Sequence, residues 1–353
     1  MQLKRRLTRL KCVLNLTTHR SFVLPLVIFH PTGRCNSRCL TCSVWETADP
    51  PQADGELELE EINRLTESLR ALGTKEAIFS GGEPLLHPKI FEICELFSKN
   101  GINLALLTNG LLLEKFAEQV GAYFPKVFIS FDGSNDRILK EIRGVNAFER
   151  IAAGINKLKS KCPATEIIGR SVIQKKNYAD LPNIVKKAKE IGFDHISFLT
   201  ADVTSASFGR NGKIQGLAKE EILLDKNDLG IFKNILNDFI KSNPQDFQSR
   251  FIAESPEKLL RLHQYYAAMI GMCEFPTVHC NAPWVSLVIE ADGMVKPCFF
   301  LPQIGNIKDT PIEQIANSDA LKRLRRNLRM SENPVCKRCV CSLRWRIRDI
   351  LWM

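Results

Sequence analysis

The chain has 353 residues, 44% hydrophobic and 25% charged, with 12 cysteines and a formal net charge of +10. That is ample for one large domain plus a smaller one, or for two. A disulfide framework belongs to short secreted chains; clustered cysteines in a chain this long, with no signal peptide expected, point instead to metal binding in a reducing cytoplasm. The longest apolar stretch ahead of Cys35, residues 22–29, contains Pro25 and falls far short of the ~20 residues a membrane span needs. The basic surplus favours phosphate-bearing or otherwise anionic partners.

Residues 2–18 read as a basic amphipathic helix, with Leu3, Leu7, Leu10 and Leu14 on one face and Lys4, Arg5, Arg6, Arg9 and Lys11 around the rest. Such a helix either caps the floor of the main fold, the commoner use, or lies as a peripheral contact on an anionic membrane surface. From residue 26 to about 200, strand-like and helix-like runs alternate. The strands are expected at Leu26–Phe29, Glu76–Phe79, Asn103–Leu107, Val127–Phe131, Ile167–Ile173 and His195–Leu199. The helices are expected at Leu59–Leu72, Lys89–Asn100, Leu112–Val120, Ala147–Ser160 and Leu181–Ile191, with Gly101, Gly121 and Gly192 placed as C-caps. Six such units argue for an α/β fold with a parallel sheet, a partial (βα)6 TIM-like barrel short of the full eight.

Residues 201–225 break the rhythm with the polar loop from Thr204 to Lys213; a loop this long in a compact domain is usually functional or disordered. Helical patterns return at Asp228–Ile240 and Pro256–Ile270 as a cap over the barrel mouth. Cysteines become dense from Cys273, and the tail Arg344–Met353 is again basic and apolar. The expected division is an N-terminal segment 1–23, a barrel 24–200, a linker and helical cap 201–272, and a small cysteine-rich domain 273–353.

The first chemical signal is Cys35-Asn-Ser-Arg-Cys39-Leu-Thr-Cys42, spaced C-x3-C-x2-C directly after the first strand. Strand-end loops of a barrel are where chemistry usually sits. Three close thiolates suit an iron–sulfur cluster or zinc. Structural zinc normally takes four protein ligands, and no fourth is in reach; a [4Fe–4S] cluster on three cysteines leaves one iron open to an outside ligand. The second signal is Ser80-Gly81-Gly82-Glu83-Pro84 at the end of the second strand. Paired glycines let backbone approach a ligand closely, and the turn's carbonyls, with Glu83, are able to accept hydrogen bonds from an ammonium group. The plainer reading is an ordinary strand-to-helix turn.

With both motifs in order at successive strand ends, residues 24–200 resemble the radical S-adenosylmethionine (SAM) superfamily. The resemblance implies that Cys35, Cys39 and Cys42 hold the catalytic [4Fe–4S] cluster, that its open iron chelates SAM, and that one electron splits SAM into methionine and a 5′-deoxyadenosyl radical that abstracts hydrogen from substrate. It implies cofactor contacts from Gly81, Gly82, Glu83, Pro84 and Asn109, and from Ser130 and Asp132 of Ser130-Phe-Asp132-Gly133. Arg170 and Ser171 are included on the condition that the fifth strand turns them inward. The residue types alone allow capping or turn roles for several of these. Arg143-Gly144 and Asn177 match further frequent positions, Arg143 as the partner of a carboxylate. Thr41 departs from the family, which often has an aromatic there; Leu40 or Trp45 is expected to supply apolar cover instead.

Cys280 is followed by twelve residues, Gly293, four residues and Cys298, then by Gly305-Asn306 and Cys336-Lys-Arg-Cys339. This resembles the superfamily's SPASM/Twitch auxiliary-cluster domains. It implies an auxiliary [4Fe–4S] cluster on Cys280, Cys298, Cys336 and Cys339, one cluster rather than two, because Cys341 follows Cys339 after a single residue. A zinc ribbon is the alternative on the same four cysteines. Cys341 and Cys273 are left over, either as substitute ligands, as a substrate contact, or as unliganded thiols; Cys12, Cys94 and Cys162 read as ordinary packing residues, and His279 as a neighbour of a ligand.

The implied function is a radical SAM oxidoreductase with an unidentified substrate and an electron donor such as flavodoxin or ferredoxin. The charge suggests an anionic small molecule: a sugar, nucleotide or lipid-linked compound. A peptide-modifying maturase is the alternative, weakened by the short stretch ahead of the first strand. An alternative of another class is a non-catalytic zinc or iron–sulfur protein, associated with nucleic acid through its charge.

Overall fold

The computed structural model describes residues 2–46, 55–210, 214 and 216–343. The expected tail Arg344–Met353, the loop end at 211–213, and the side chains of Leu3, Lys4, Arg5, Arg6 and Arg9 lie outside the described part.

Six parallel strands run β1 Leu26–Phe29, β2 Glu76–Phe79, β3 Asn103–Thr108, β4 Lys126–Ser130, β5 Glu166–Ile173 and β6 His195–Thr200. Helix α1 (Gln2–Thr18) precedes them. Their crossovers are α2 (Leu59–Ala71), α3 (Ile90–Lys99), α4 (Ala117–Tyr123), the pair α5 (Asp136–Arg143) and α6 (Phe148–Lys161), and α7 (Leu181–Glu190). Then come α8 (Gly216–Glu220), α9 (Lys226–Ser242), α10 (Pro244–Gln248) and α11 (Pro256–Met269). The cysteine-rich stretch holds α12 (Ala282–Val285), β7 (Ser286–Ile289), β8 (Met294–Lys296), β9 (Gly305–Asn306), α13 (Ile312–Ile315), α14 (Asp319–Asn327) and α15 (Pro334–Lys337).

The sheet runs β6-β5-β4-β3-β2-β1-β7-β8-β9. β7 pairs in parallel with β1, Leu26 opposite Ser286, so the strand that follows Cys280 extends the barrel sheet. Asp292-Gly293 then turns the chain into antiparallel β8, with Gly293 at φ +86°. At the opposite edge, β6 is covered by residues 251–253: Ile196 N–H donates to Phe251 O (2.7 Å) and Ala253 N–H to Ile196 O (2.9 Å). Both exposed edges of the parallel sheet are thereby taken up.

Strand alternation divides the side chains. Val27, Phe29, Ala77, Phe79, Leu104, Leu106, Val127 and Ile129 are buried toward the helices. Phe29, Phe79 and Phe97 form a tight aromatic knot there, with ring centroids 5.1 to 5.4 Å apart; burying each ring contributes roughly 1.5–3 kcal/mol. The opposite set, including Ile28, Ile78, Leu107, Phe128, Arg170 and Leu199, faces the barrel interior.

Four expectations need correction. The helix placed at Leu112–Val120 begins at Ala117, because Asn109 Oδ1 accepts from Leu111 N (3.0 Å), Arg150 donates to Leu111 O (2.8 Å), and Leu113 packs against Gly154. Gly121 is not a C-cap but lies inside α4, where a Cβ would fall 2.1 Å from Cys162 Sγ. Helix α5 was not expected at all. In α1, Leu7 and Leu10 are exposed; the helix docks through Cys12 and Asn15, whose side-chain amide donates to Val23 O (2.6 Å) and Trp284 O (2.9 Å). A buried amide bonded to two carbonyls fixes the helix's rotation more firmly than the leucine stripe does. Among the described residues no helix is long and apolar enough to cross a membrane.

Candidate functional site

The loop carrying Cys35, Cys39 and Cys42 leaves the C-terminal end of β1 and is gripped from four sides. From β2, Gly82 N–H donates to Thr32 O (3.0 Å) and Glu83 N–H to Arg34 O (2.7 Å). A Cβ on Gly82 would lie 2.2 Å from Arg34 O, and one on Gly81, at φ +109°, 2.8 Å from Thr32 O. The paired glycines therefore allow the two backbones to touch. From β3, Asn109 Nδ2 donates to Asn36 Oδ1 (2.7 Å) and Ser37 Oγ (3.1 Å). From the end of α5, Arg143 O accepts from Arg38 N (2.8 Å) and Ile142 O from Leu40 N (2.9 Å). From the 201–210 segment, Phe208 O accepts from Ser43 N (2.8 Å) and Arg210 Nη1 donates to Thr41 O (3.0 Å).

Behind this loop lies an ionic frame. Arg143 pairs with buried Asp132 at 2.5 Å and donates to Cys39 Sγ at 3.8 Å. Asp132 also accepts from Val172 N (2.6 Å), and Asn177 Nδ2 donates to Asp132 O (2.8 Å). Burial pushes the Cys35 and Cys42 thiols up to about 11; it also raises Cys39, with Arg143 opposing. Arg143 is thus set to favour the thiolate that ligation requires.

The sequence-predicted cofactor residues divide. Gly81 and Gly82 line a chamber of about 570 Å³ beside Cys42, and Arg170 lines it from β5. Ser130 shares the strand face of Phe128, which lines the adjoining cavity. Glu83, Pro84, Asn109 and Asp132 are buried behind the loop. Glu83 accepts from Thr108 Oγ1 (2.8 Å), Asn109 N (2.7 Å) and Leu85 N (3.2 Å), so its oxygens serve the protein; burial lifts its carboxyl to about 7. Ser171 is fully buried and faces away from the chamber, because Arg170 and Val172 on either side of it face inward. Thr41 and Val44 line the chamber where Leu40 or Trp45 was expected; Leu40 is exposed, and Trp45 lies under the Arg38 guanidinium at 5.8 Å.

Sequence reasoning missed several residues. Arg210 forms a buried ion pair with Asp202, which also accepts from Thr204 N (3.0 Å) and from Ser205. Glu56 accepts from Arg34 (2.8 Å) and Thr32. His30 lines the chamber 5.8 Å from Phe299, its Nε2 buried with no hydrogen-bond partner among the described residues; burial, with Lys296 adding, lowers it to about 4. The only signal for the Asp202–Arg210 pair was the length of the polar loop.

A second cavity of about 290 Å³ is lined by Cys280, Cys298, Cys336, Cys339 and Cys341. The hairpin β7–β8 delivers Cys298. Asn333 caps α15 by accepting from Val335 and Cys336 N (both 3.0 Å), which sets Cys336. Asn281 N–H donates to Leu343 O (2.9 Å), closing the far side beside Cys280. Cys273 is exposed and apart, its thiol toward Gln264 O. Five thiols around one cavity are the kind of donor set that an iron–sulfur cluster or a zinc ion takes.

The two cavities share walls: Leu107, Arg170, Leu199, Phe299, Phe300 and Cys341 line both. Phe208, Phe299 and Phe300 form an aromatic side, with centroids 5.9 to 6.4 Å apart. Lys296 is paired with Glu290 at 2.6 Å. Arg170 stacks on Phe128 at 5.1 Å, and its Nε finds no acceptor among the described residues.

Residues 29–188 match the family model described as the radical SAM superfamily, and residues 280–340 match SPASM, an iron–sulfur cluster-binding domain. The chain is 28% identical over 312 residues to the AdoMet-dependent heme synthase of Methanosarcina barkeri, covering 85% of this chain and 84% of that one. It is 25% identical over 310 residues to the antilisterial bacteriocin subtilosin biosynthesis protein AlbA of Bacillus subtilis, covering 86% of this chain but 62% of AlbA. Among solved structures, Streptococcus suis SuiB bound to S-adenosylmethionine superposes with a TM-score of 0.63 at 16% identity, over 96% of this chain and 77% of SuiB. That likeness establishes a shared fold.

Proposed function

Since this chain belongs to the radical SAM superfamily and carries a C-terminal SPASM domain, we propose that it oxidises an anionic small molecule with a flat, apolar body, held between its two iron–sulfur sites. The observation that carries this reading is the shared wall of the two cavities, with an aromatic side and one guanidinium. Family membership makes it an enzyme that uses a SAM-binding [4Fe–4S] cluster, SAM and auxiliary iron–sulfur. When bound, the reduced first cluster and SAM supply a 5′-deoxyadenosyl radical that takes hydrogen from substrate.

In this reading Cys35, Cys39 and Cys42 are the first cluster's ligands, and Arg143 stabilises Cys39. The backbone of Gly81 and Gly82, with Ser130, lines the SAM end. Glu83, Pro84, Asn109 and Asp132 position the loop rather than touch SAM. Phe208, Phe299 and Phe300 receive the flat body, excluding water from the radical, and Arg170 takes an anionic group where the cavities meet. Cys280, Cys298, Cys336 and Cys339 would hold the auxiliary cluster, whose chemistry there would be one-electron oxidation. A one-electron protein such as flavodoxin or ferredoxin would reduce the first cluster.

The relative named AdoMet-dependent heme synthase supports a flat ring with anionic arms, and a nucleotide offers a flat base with an anionic phosphate. AlbA supports a second reading, peptide modification. To decide, cluster-loaded protein is incubated anaerobically with SAM and dithionite, adding an iron porphyrin bearing propionates, a nucleoside triphosphate, or a cysteine-containing peptide. Either of the first two should accelerate 5′-deoxyadenosine release, and Arg170→Met should abolish that acceleration while leaving the slow background release. Acceleration by the peptide alone would overturn the small-molecule reading.

A further inference from the structure

We propose that the auxiliary site is built from five thiols, and that Cys339 and Cys341 exchange at the cluster corner nearest the reaction chamber. The inference rests on that site holding a [4Fe–4S] cluster and on nothing about the substrate. A cubane offers four iron corners to protein ligands. Five cysteines line its cavity, and the SPASM match ends at residue 340, one residue short of the fifth.

The five are not equivalent in place. Cys280, Cys298 and Cys336 arrive on three separate segments, each tied down: Ala282 N–H donates to Cys280 Sγ (3.5 Å), Cys298 follows the β7–β8 hairpin, and Cys336 lies in capped α15. Cys339 and Cys341 flank Val340 in a stretch outside helix and strand, and Cys339 Sγ lies 3.1 Å from the Cys341 carbonyl oxygen.

Each of this pair faces a further space. Cys339 also lines a side cavity of about 120 Å³ with Asp202 and Ser205. Cys341 also lines the 570 Å³ chamber, beside Phe299 and Arg170. A small backbone shift would trade one thiol for the other. With Cys341 on iron, the chamber side of the cluster is closed by a thiolate. With Cys339 on iron, the Cys341 thiol stands free in the chamber wall, toward whatever occupies it. The exchange conserves ligand number and charge: the incoming thiol gives up its proton as it takes the corner, and the departing thiolate takes up a proton as it leaves.

The test uses full-length protein reconstituted anaerobically with iron and sulfide. Iron content, Mössbauer spectra and electron paramagnetic resonance of the reduced auxiliary cluster are compared for wild type, Cys339→Ala, Cys341→Ala, the double variant and Cys280→Ala. The first cluster in each sample reports that the chain is folded. Both single variants should keep about four auxiliary irons per chain, with resonance spectra that differ from each other. The double variant should lose the auxiliary cluster's iron, as is expected of Cys280→Ala. Loss of the cluster in one single variant, with no change in the other, would assign a fixed ligand and overturn the exchange. Should alanine unfold the chain, alkylation of the loaded wild type decides: apart from exposed Cys273, one modified thiol divided between Cys339 and Cys341 supports exchange, whereas modification confined to one of the pair refutes it.

Discussion

The three thiols of the first site share one short loop, whereas those of the second arrive from segments spread over residues 280–341. The first loop contributes three thiols, but its shape is set by hydrogen bonds from the ends of β2, β3 and α5 and from the 201–210 segment. The second has no such frame around a single loop; its thiols line one cavity because β7 docks on β1 and because Asn333 caps α15. The first site is therefore preorganised by the barrel, and the second is assembled by long-range pairing. Damage to the barrel's strand ends should strike the first cluster and spare the second.

The largest effect is expected from Gly82→Ala, which drives a methyl group into the Arg34 carbonyl. Iron analysis should show loss of the first cluster's roughly four irons with the auxiliary iron retained. Equal loss from both sites would break the comparison. Next comes Arg143→Leu, which strands buried Asp132; denaturant unfolding should show a loss of about 3–5 kcal/mol, with Asp132→Asn in the same chain recovering part of it. Arg210→Met should cost less, about 2–3 kcal/mol, because Asp202 keeps Thr204 and Ser205 as donors. It should also shift the first cluster's resonance spectrum and leave the auxiliary one unchanged. Asn109→Ala removes the bonds to Asn36 and Ser37 and should cost about 1–2 kcal/mol.

The smallest effect concerns His30. Burial holds its folded-state value at about 4, below the ordinary 6.5, so the unfolded chain binds more protons between those limits. Stability carried by this residue is present above pH 6.5 and is lost as pH falls through 4. His30→Gln should flatten that part of the pH–stability curve, and an unchanged curve would remove His30 from the account.

Much of the barrel was legible because parallel strands carry apolar runs bounded by glycine, and Gly101 and Gly192 do sit at positive φ after their helices. The cysteine motifs were legible because their spacing is local. What escaped was non-local or short. Helix α5, with Ile138, Leu139 and Ile142 on one face between an Asn135 N-cap and Gly144 at φ +71°, escaped because it is only eight residues long, yet its end grips the first loop. The β1–β7 pairing joins residue 26 to residue 286, and no local pattern announces it. Glu83 reads as a ligand contact in sequence because its three donors lie in the structure alone. Two adjacent residues on one strand, Arg170 and Ser171, were both assigned to the interior although alternation admits only one of them.

The central claim is that two independently held clusters flank one chamber. Mössbauer-quantified iron, measured together with 5′-deoxyadenosine released from SAM, tests it most directly on wild type and Cys280→Ala. The account predicts about eight irons in the wild type and about four in the variant, with reductive SAM cleavage surviving in both. Loss of all iron from Cys280→Ala, or a wild type that binds iron and never cleaves SAM, would contradict it.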